Sequence, residues 1–453
     1  MPRKPATVFT CTACTAQSPR WLGRCPECGG WNTLVEEKAA PAGPSAAGGP
    51  APAPLALADV RAAEEPRIPT GVVDFDRVLG GGLVPGSVVL LGGEPGIGKS
   101  TLLLQVAARL ARRLGPVLYV TAEESARQVK MRADRLGISG AIASGVFLLP
   151  ETELARILDA AGATKFGAVV VDSIQTIASV ESAGTPGSVS QVRECAGRLL
   201  AFAKTTGVPV FLIGHVTKDG TLAGPKTLEH LVDAVLSFEG ERFHAHRVVR
   251  ALKNRFGPVH ELGVFEMTGA GLVEVSNPSS LYLGTGAGSR PGSAVLAGVE
   301  GTRPLLLEVQ ALTVEVKYGT PRRTAIGFDG TRLALIHAVL ERHAGLKLSG
   351  HDVFLNVAGG AESAEPAADL AVAAAVAGSL RGKALPAGTV VFGEIGLLGE
   401  VRAVADAPLR LKEALALGFK GAILPAGNAS EAAAFPDLQA TPVKAVEELL
   451  ARG

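Results

Sequence analysis

The sequence predicts an α/β protein in which a doubly wound parallel sheet follows a small cysteine-rich module and precedes an α+β domain. Three observations indicate this class. Apolar β-rich runs alternate with segments of helical apolar spacing in the middle of the chain, as in a sheet covered by helices on both faces. Four cysteines cluster near the N-terminus, and near residue 277 the pattern changes to mixed strands and helices. We therefore expect a metal module at 1–38, a linker at 39–58, the main α/β core at 59–276 and the α+β domain at 277–453.

Composition excludes several classes of protein. The 453 residues carry a net charge of +1, so a chain-wide basic coat is excluded and any nucleic acid must bind to a local surface. No apolar run approaches the roughly 18 residues of a membrane span, and the N-terminus lacks the apolar centre of a signal peptide. We expect a soluble, cytoplasmic protein without membrane contact.

The cysteine spacing predicts a structural zinc site. The pattern is C-x2-C, ten residues, C-x2-C, in which each pair places two thiolates on one turn and two turns close a tetrahedron around Zn²⁺. Trp21 and Trp31 flank the second pair. We expect them to form a miniature core rather than a base-stacking surface, although stacking is physically available. The predicted zinc ligands are Cys11, Cys14, Cys25 and Cys28.

The linker differs from both of its neighbours in composition. Seventeen of the twenty residues 39–58 are Ala, Pro or Gly, and none is charged. Such a segment cannot build a core and predicts a semi-extended tether. We expect the zinc module to move relative to the core.

A phosphate-binding loop is the strongest motif of the core. "SVVLL" predicts a strand and "STLLLQVAARLARR" a helix, and the segment "GEPGIGKS" between them has the G-x4-G-K-S pattern. Its glycines let backbone N–H groups face phosphates, and the helix N-terminus adds the positive end of its dipole. Lys99 is expected to reach the β- and γ-phosphates, and the Ser100 hydroxyl to coordinate Mg²⁺. The predicted nucleotide-binding residues are Gly93, Glu94, Pro95, Gly96, Ile97, Gly98, Lys99, Ser100 and Thr101.

Two other strand ends supply carboxylates. Asp172 closes the apolar run "FGAVVVDS" and is well placed to hold the Mg²⁺ shell. Glu123, in "VLYVTAEES", is the candidate that orients the attacking water. The alternative for Asp172 is a carboxylate that only caps the end of a strand. The alternative for Glu123 is a carboxylate at the start of a helix that satisfies the helix dipole. We expect the nucleotide at the carboxyl ends of the strands.

These segments resemble a known family. "TGVVDFDRVLGGGLVPGSVVLLGGEPGIGKSTLL", "YVTAEES" and "VVVDSIQT" look like the ATPase core of the RecA superfamily. With the four-cysteine module, "GHVTKDGTLAGPKTLEHLVDAVLSFEG" and "KNRFG", the order of motifs is similar to that of the bacterial RadA (Sms) family over nearly the whole chain. The resemblance implies a ring-forming, DNA-dependent ATPase of recombinational repair that uses ATP, Mg²⁺ and Zn²⁺. The implied partners are single-stranded and branched DNA, a RecA recombinase and further copies of the chain, in a hexameric ring.

The basic pair in "KNRFG" needs an anion. Lys253 and Arg255 are two residues apart, so on a strand both side chains point to the same face. The resemblance to ring-shaped members of the superfamily implies that such a pair reaches the γ-phosphate bound by the neighbouring subunit. The alternative is a solvated basic strand.

Two Gly-rich loops are candidates for DNA contact. They are residues 179–194 and 216–230, which the resemblance places at the centre of the ring. Lys218 and Lys226 are candidate phosphate contacts, because sequence-independent binding is mostly electrostatic; plain surface loops are the alternative. His215, just before the second loop, is either a γ-phosphate sensor or a hydrogen-bonded strand-end histidine.

The last domain resembles the proteolytic domain of Lon without its chemistry. "HDVFLNVAGG", "EPAADLAVAAAVAGSL" and "TVVFGEIGLLGEVR" carry the resemblance, yet Ala367 stands where the serine nucleophile should be and Arg410 where the lysine base should be. Arginine stays protonated and cannot serve as the base. We expect a non-proteolytic ring scaffold. Basic residues that offer either a DNA-binding face or solvated charge are Lys317, Arg322, Arg323, Arg402 and Arg410.

Two rival functions remain open. A KaiC-like regulatory ATPase shares "LGGGLVPGS" and the phosphate loop and would act through protein partners without DNA. A non-motor scaffold would bind ATP only to assemble. The zinc module and "KNRFG" disfavour the first, and Glu123 with Asp172 disfavours the second.

Overall fold

A computed structural model describes residues 7–11, 17–18, 20–27, 29–38, 66–182, 184–215, 226–240, 246–259, 261–284 and 286–450. The chain divides into two compact units, Met1–Val275 and Ser276–Gly453. The predicted linker at 39–58 lies outside the described residues. Among the helices that are described, none is long and apolar enough to cross a membrane.

The N-terminal module is a small antiparallel sheet. Its strands are β1 (Thr7–Cys11), β2 (Gln17–Ser18) and β3 (Leu34–Lys38), in the order β2-β1-β3. Cys11 and Cys25 are buried together with Leu34, and Phe9 and Leu22 pack against them. So few apolar residues form a very small core, which is typical of domains that a metal ion stabilises.

A nine-stranded sheet forms the centre of the first unit, in the order β12-β11-β10-β9-β4-β8-β7-β5-β6. The six strands from β9 to β6 are parallel, and β10, β11 and β12 extend the sheet with antiparallel pairs. The predicted doubly wound parallel sheet is confirmed. The strands are β4 (Val88–Gly93), β5 (Val117–Thr121), β6 (Val146–Leu149), β7 (Ala168–Asp172), β8 (Val210–His215), β9 (Ala234–Glu239), β10 (His246–Asn254), β11 (Leu262–Thr268) and β12 (Gly271–Glu274).

Helices cover both faces of this sheet. Val89 and Leu91 of β4 belong to one core with helix α2, whereas Val88 and Leu90 belong to a second core with α5 and α6. A strand buried on both faces has no polar side, which explains why the central strands are continuous apolar runs. The helices are α1 (Val73–Val78), α2 (Lys99–Leu114), α3 (Ala126–Arg135), α4 (Gly140–Ala143), α5 (Leu154–Ala163), α6 (Val189–Thr206) and α7 (Lys226–Leu231).

The second unit contains a seven-stranded mixed sheet, in the order β15-β16-β14-β13-β17-β20-β21, and a two-stranded ribbon, β18-β19. Helix α10 is buried along most of its length, from Asp369 to Ala377, and packs on β13 and β14. The strands are β13 (Ser293–Glu300), β14 (Arg303–Glu315), β15 (Arg323–Ile326), β16 (His351–Val357), β17 (Thr389–Val391), β18 (Glu394–Ile395), β19 (Val401–Arg402), β20 (Gly421–Pro425) and β21 (Gln439–Val443). The helices are α8 (Ser279–Tyr282), α9 (Gly330–Ala344), α10 (Asp369–Arg381), α11 (Ala407–Ala416), α12 (Ala429–Ala432) and α13 (Val446–Leu450).

Candidate nucleotide site

The phosphate loop connects β4 to α2, where the motif requires it. Gly98 has φ 117° directly before Lys99, the first residue of α2. A Cβ on Gly98 would lie 2.6 Å from Cε of Met267, and one on Gly93 would lie 2.5 Å from the carbonyl oxygen of Phe238. Gly98 is therefore required by its backbone conformation and Gly93 by the lack of space, so the loop presents its backbone rather than side chains.

Lys99 is buried, and its ammonium group contacts neutral acceptors. Nζ donates to the carbonyl oxygens of Gly93 and Glu94, both at 2.8 Å, and lies 3.3 Å from Nδ1 of His215. Burial lowers the pKa of Lys99 to about 8, although the carboxylates of Asp172, Glu123 and Glu94 oppose the shift. A cation held in this way gains electrostatic stabilisation when a phosphate arrives.

Parallel pairing brings the predicted carboxylates to the same edge of the sheet. Gly93 is the partner of His215, and Thr121 is the partner of Asp172. The carboxyl ends of β4, β8, β7 and β5 therefore converge, as ligand sites in open α/β sheets do.

Asp172 and Ser100 together offer the oxygen ligands that Mg²⁺ prefers. The Ser100 hydroxyl hydrogen-bonds to the Asp172 carboxylate, and the hydroxyl of Tyr119 donates to Oδ2 of Asp172 at 2.7 Å. Burial raises the pKa of Asp172, while these two hydrogen bonds act in the opposite direction. The donor set fits the predicted magnesium site.

Tyr119 was missed by the sequence analysis. It is fully buried, and burial followed by the charge of Asp172 raises its pKa well above the ordinary value, so the hydroxyl stays a donor. Its position as the one polar side chain amid the aliphatic residues of "VLYV" is a signal that could have identified it.

Of the two neighbouring glutamates, Glu123 points to the site. Nε2 of His215 lies 3.1 Å from Oε2 of Glu123, so the histidine links Glu123 to Lys99. Glu124 instead forms an ion pair with Arg132 at 2.6 Å.

The alternative role of Glu123, at the start of a helix, finds less support. Helix α3 is capped by Ser125, whose side chain accepts from the backbone N–H of Gln128 in a complete capping box. The helix N-terminus is therefore satisfied without Glu123. Glu123 as the residue that orients water, and His215 as a γ-phosphate sensor, stay predictions.

Lys253 and Arg255 lie at the opposite end of the strands, where the parallel strands of the sheet have their amino ends. Asn254, between them, pairs with Ala234, which in turn pairs with Val89 at the amino end of β4. The phosphate loop leaves the carboxyl end of that same strand. The structure therefore does not bring this pair to the chain's own phosphate loop.

Both side chains of the pair approach the turn between α7 and β9. Nζ of Lys253 donates to the carbonyl oxygen of Val232 at 2.9 Å and to that of Glu229, and burial followed by the charge of Arg255 lowers the pKa of Lys253. Arg255 lies 3.4 Å from Oδ1 of Asp233 and is half-exposed. The two cations share one side of the backbone, as the spacing predicts.

The candidate DNA contacts can be placed only in part. Lys218 lies outside the described residues, and Lys226 opens α7. In the other loop, the side chain of Gln191 accepts from the N–H of Ser179 at 2.8 Å and donates to the carbonyl oxygen of Ser182 at 2.7 Å. These bonds hold that loop against α6.

The zinc module contains two of the predicted ligands in a suitable setting. Cys11 and Cys25 are 0% and 1% exposed. The backbone around Cys25 folds tightly, with Cys25 N–H donating to Gly30 at 2.9 Å and Gly29 N–H to Cys25 at 3.0 Å. Two buried thiols in one small cluster fit a structural zinc site. The other two predicted ligands, Cys14 and Cys28, lie outside the described residues.

The expectation that the tryptophans form a miniature core is wrong. Trp21 is 55% exposed and Trp31 is 71% exposed. Among the described residues of the module, the buried cluster consists of Cys11, Cys25 and Leu34 with Phe9 and Leu22 packed against it, and neither indole belongs to it.

In the second unit, Arg410 is a structural residue. Its guanidinium donates to both carboxylate oxygens of Glu365, at 2.7 and 3.1 Å, and to the carbonyl oxygens of Ala297 and Ala405. It is 4% exposed, so its assignment to a DNA-binding face or to solvated charge is wrong. Ala367, at the predicted nucleophile position, is buried as well.

Two family models match the chain. One, described as an AAA domain, matches residues 73–221, and another, a rubredoxin metal binding domain, matches residues 9–36. Among curated proteins, the DNA repair protein RadA of Bacillus subtilis is 49% identical and covers 94% of this chain and 93% of its own. RadA of Pseudomonas aeruginosa is 50% identical, with 99% and 98% covered, and RadA of Haemophilus influenzae is 46% identical, with 100% and 99% covered.

This chain belongs to the RadA family. It is therefore an ATPase of a DNA repair family with an N-terminal zinc-ribbon module, as the order of motifs predicts. A KaiC-like protein from Pyrococcus horikoshii OT3 matches 46% of this RadA-family chain at 23% identity with a TM-score of 0.39, a likeness too weak to bear on function.

Proposed function

We propose that this RadA-family chain is a DNA-dependent ATPase that assembles into a hexameric ring and moves along single-stranded DNA. It promotes branch migration at branched recombination intermediates beside a RecA recombinase, in the cytoplasm. The observation that carries the ring is the position of Lys253 and Arg255, at the sheet edge away from their own phosphate loop. A basic pair that cannot serve its own site is available to a neighbour's.

In this proposal each residue has one task. Backbone N–H groups of 93–98 and Lys99 bind the phosphates, and Ser100 and Asp172 hold Mg²⁺. Glu123, held by His215, orients the attacking water. Mg²⁺, when bound, neutralises charge on the phosphate oxygens. Lys253 and Arg255 of the adjacent copy stabilise the γ-phosphate.

Mixed rings test the contribution of the neighbour. Arg255→Ala protein keeps a complete phosphate loop, and Lys99→Ala protein keeps a complete basic pair. Each alone should be nearly inactive, because a trans cation contributes about 10³–10⁵ to the rate. Mixed together, they should recover part of the ATPase activity, since some interfaces then combine both intact halves.

Two controls make this result interpretable. Arg250→Ala removes a cation from the same strand, beside Glu239 at 3.7 Å, and should leave the activity intact. Native mass spectrometry must show that the two variants enter the same rings. If mixed rings form and hydrolysis is not restored, the trans assignment is wrong.

DNA dependence is tested by steady-state ATP hydrolysis with and without single-stranded DNA, with Lys99→Ala as the blank. We expect clear stimulation by DNA. Hydrolysis that is indifferent to DNA would favour the KaiC-like alternative, in which protein partners replace DNA.

The second unit is proposed as a ring scaffold without protease activity, because alanine offers no nucleophile and the guanidinium of Arg410 cannot accept a proton.

Four thiolates, Cys14 and Cys28 included, are proposed to hold the zinc ion. The division into 1–38, 39–58, 59–276 and 277–453 is our proposal for the domain boundaries. Lys218 and Lys226 are the proposed DNA contacts.

A further inference from the structure

Both tryptophans of the chain stand on the surface of the zinc module. The 453 residues contain two, Trp21 and Trp31, and the structure exposes 55% of one and 71% of the other. Exposing a large aromatic ring to water has a free-energy cost that burial in the module would have removed. An exposed pair in so small a domain therefore indicates a binding surface.

Backbone pairing brings the segments that carry the two tryptophans side by side. Residues 21–24 and 31–32 run antiparallel: Arg24 and Trp31 form a bridge, and the N–H of Asn32 donates to the carbonyl oxygen of Gly23 at 2.8 Å. The ring of Trp21 lies beside Gly23, where a Cβ would be 3.7 Å from Cη2 of the indole. Each ring is thus fixed beside the same short pair of segments.

An arginine is already aligned with one of the rings. The guanidinium carbon of Arg24 lies 5.8 Å from the centre of the Trp31 ring. Its Nε donates to the carbonyl oxygen of Gly29 at 3.0 Å, which fixes the side chain in this position. Arg20, next to Trp21, is exposed as well. Trp31 therefore has a cation over its ring, and Trp21 has one as its neighbour along the chain.

The chemistry of this surface fits unpaired bases. The residues that flank the two rings along the chain are Arg20, Leu22, Gly30 and Asn32, and Leu22, the aliphatic one, packs into the module's interior. Protein–protein hot spots also use Trp and Arg, but in fully desolvated pockets ringed by further contacts, whereas single-strand binding sites combine aromatic platforms with cations that contact the backbone.

We propose that Trp21, Trp31, Arg20 and Arg24 form a stacking platform for single-stranded nucleic acid, separate from the loops of the ATPase core. The indoles stack on unpaired bases and the arginines contact the adjoining phosphates. This inference rests on the proposed DNA binding of the chain and adds a second point of contact on the zinc module.

The chain itself provides the measurement, since its intrinsic tryptophan fluorescence comes from this surface alone. Full-length protein is titrated with an oligothymidylate of about 20 nucleotides, which exceeds the ~4–16 nucleotides of a typical single-strand site. Tryptophan emission should fall saturably, and a blunt duplex of equal length should leave it unchanged because its bases are already stacked. A dye on the oligonucleotide reports overall binding by anisotropy in the same titration.

Variants assign the effect to individual side chains. Trp31→Ala should weaken oligothymidylate binding about tenfold, in line with the loss of one base–aromatic stack. Trp31→Phe should retain most of the affinity, and Arg24→Gln should weaken binding with a smaller dependence on salt. Glu27→Gln, on the same exposed segment, is the matched control and should have no such effect. Zinc content of one ion per chain shows that each variant module is folded.

Each outcome separates this inference from the proposed function. No anisotropy change for the native chain would overturn DNA binding and both proposals with it. Anisotropy that rises while tryptophan emission stays constant, or binding that Trp31→Ala leaves unchanged, would overturn the platform alone. In that case the exposed tryptophans would be assigned to a protein partner.

Discussion

Lys99 and Arg410 are both buried cations, the first in the phosphate-loop motif and the second where the resemblance to Lon implies the lysine base, and their surroundings differ in kind. Lys99 contacts two carbonyl oxygens and an imidazole, and burial lowers its pKa to about 8. Arg410 forms a two-pronged ion pair with Glu365, donates to two carbonyl oxygens and covers the ring of Phe392 at 5.7 Å. Lys99 can still pair with an incoming anion, whereas Arg410 is already paired with the carboxylate of Glu365.

The difference indicates how a binding site can be distinguished from its structural counterpart. A site that must receive charged phosphates keeps its cation, carboxylate and hydroxyl close together without neutralising them, and perturbed pKa values result. A site with no ligand satisfies each buried group within the fold. Exposure alone does not separate the two, because Lys99 and Arg410 are each 4% exposed.

The largest expected difference between Lys99 and Arg410 is in their contributions to stability. Arg410→Ala should lower the free energy of opening around β13 by about 3 kcal/mol, because it leaves the carboxylate of Glu365 without its cation. Hydrogen exchange of peptides covering 293–300 measures this free energy. Lys99→Met should not destabilise the first unit, since it removes a cation that folding has desolvated.

Two further variants serve as a control and as a partial rescue for the Arg410→Ala prediction. Arg402→Ala removes an exposed arginine that pairs with Glu400 and should leave the protection of 293–300 unchanged, because surface ion pairs contribute little to stability. Arg410→Met combined with Glu365→Gln should recover part of the loss, because the glutamine can still accept from the N–H of Val299. Unchanged hydrogen-exchange protection at 293–300 in the Arg410→Ala protein would contradict the claim that Arg410, unlike Lys99, stabilises the fold.

The sequence was sufficient for the fold class and the phosphate loop because both depend on local patterns. The strand, glycine loop and helix are contiguous, whereas the antiparallel extension β10–β12 was not specified. The placement of Trp21 and Trp31 was not predictable from composition. Whether an aromatic residue is buried in a domain of this size depends on the volume left around the metal ligands, which spacing does not reveal.

The partners of the site residues depend on long-range register. Tyr119 meets Asp172, and His215 meets Glu123, across 53 and 92 residues of sequence. Pairing between β5, β7 and β8 decides these contacts, and no single stretch of sequence contains both members. The ion pair of Arg410 with Glu365 likewise joins residues that are distant in sequence. The resemblance to Lon identified Arg410 as a basic residue but did not indicate its partner.

A second effect follows from the lowered pKa of Lys99. Below pH 8 the lysine is charged with and without nucleotide, so ATP affinity should not depend on its titration. Above pH 8 the nucleotide-free lysine loses its proton, binding must restore it, and affinity should fall by up to about tenfold per pH unit. Dissociation constants measured with a fluorescent ATP analogue between about pH 7.5 and 9.5 avoid the ordinary titration range of histidine.

The control for this profile is Lys99→Arg, which stays charged over the whole range and should give a flat dependence. The groups that face Lys99 are Asp172, Glu123, Glu94 and His215. If the arginine variant shows the same slope as the native protein, the slope does not come from Lys99, and the contrast with Arg410 loses its electrostatic basis.

The smallest effect concerns the hydroxyl of Tyr119, which donates to one carboxylate oxygen of Asp172, the proposed Mg²⁺ ligand. Tyr119→Phe preserves the packing but removes a hydrogen bond to a charged group, whose value of about 1.5–3 kcal/mol bounds the change. The Mg²⁺ concentration that gives half-maximal ATP hydrolysis should rise by about tenfold, the lower end of that range, because the carboxylate is then less well oriented and easier to protonate. Tyr318→Phe, at a position 94% exposed, should change nothing. A lower Mg²⁺ requirement in Tyr119→Phe would instead mean that the tyrosine competes with the metal, and that even this site satisfies its carboxylate within the fold.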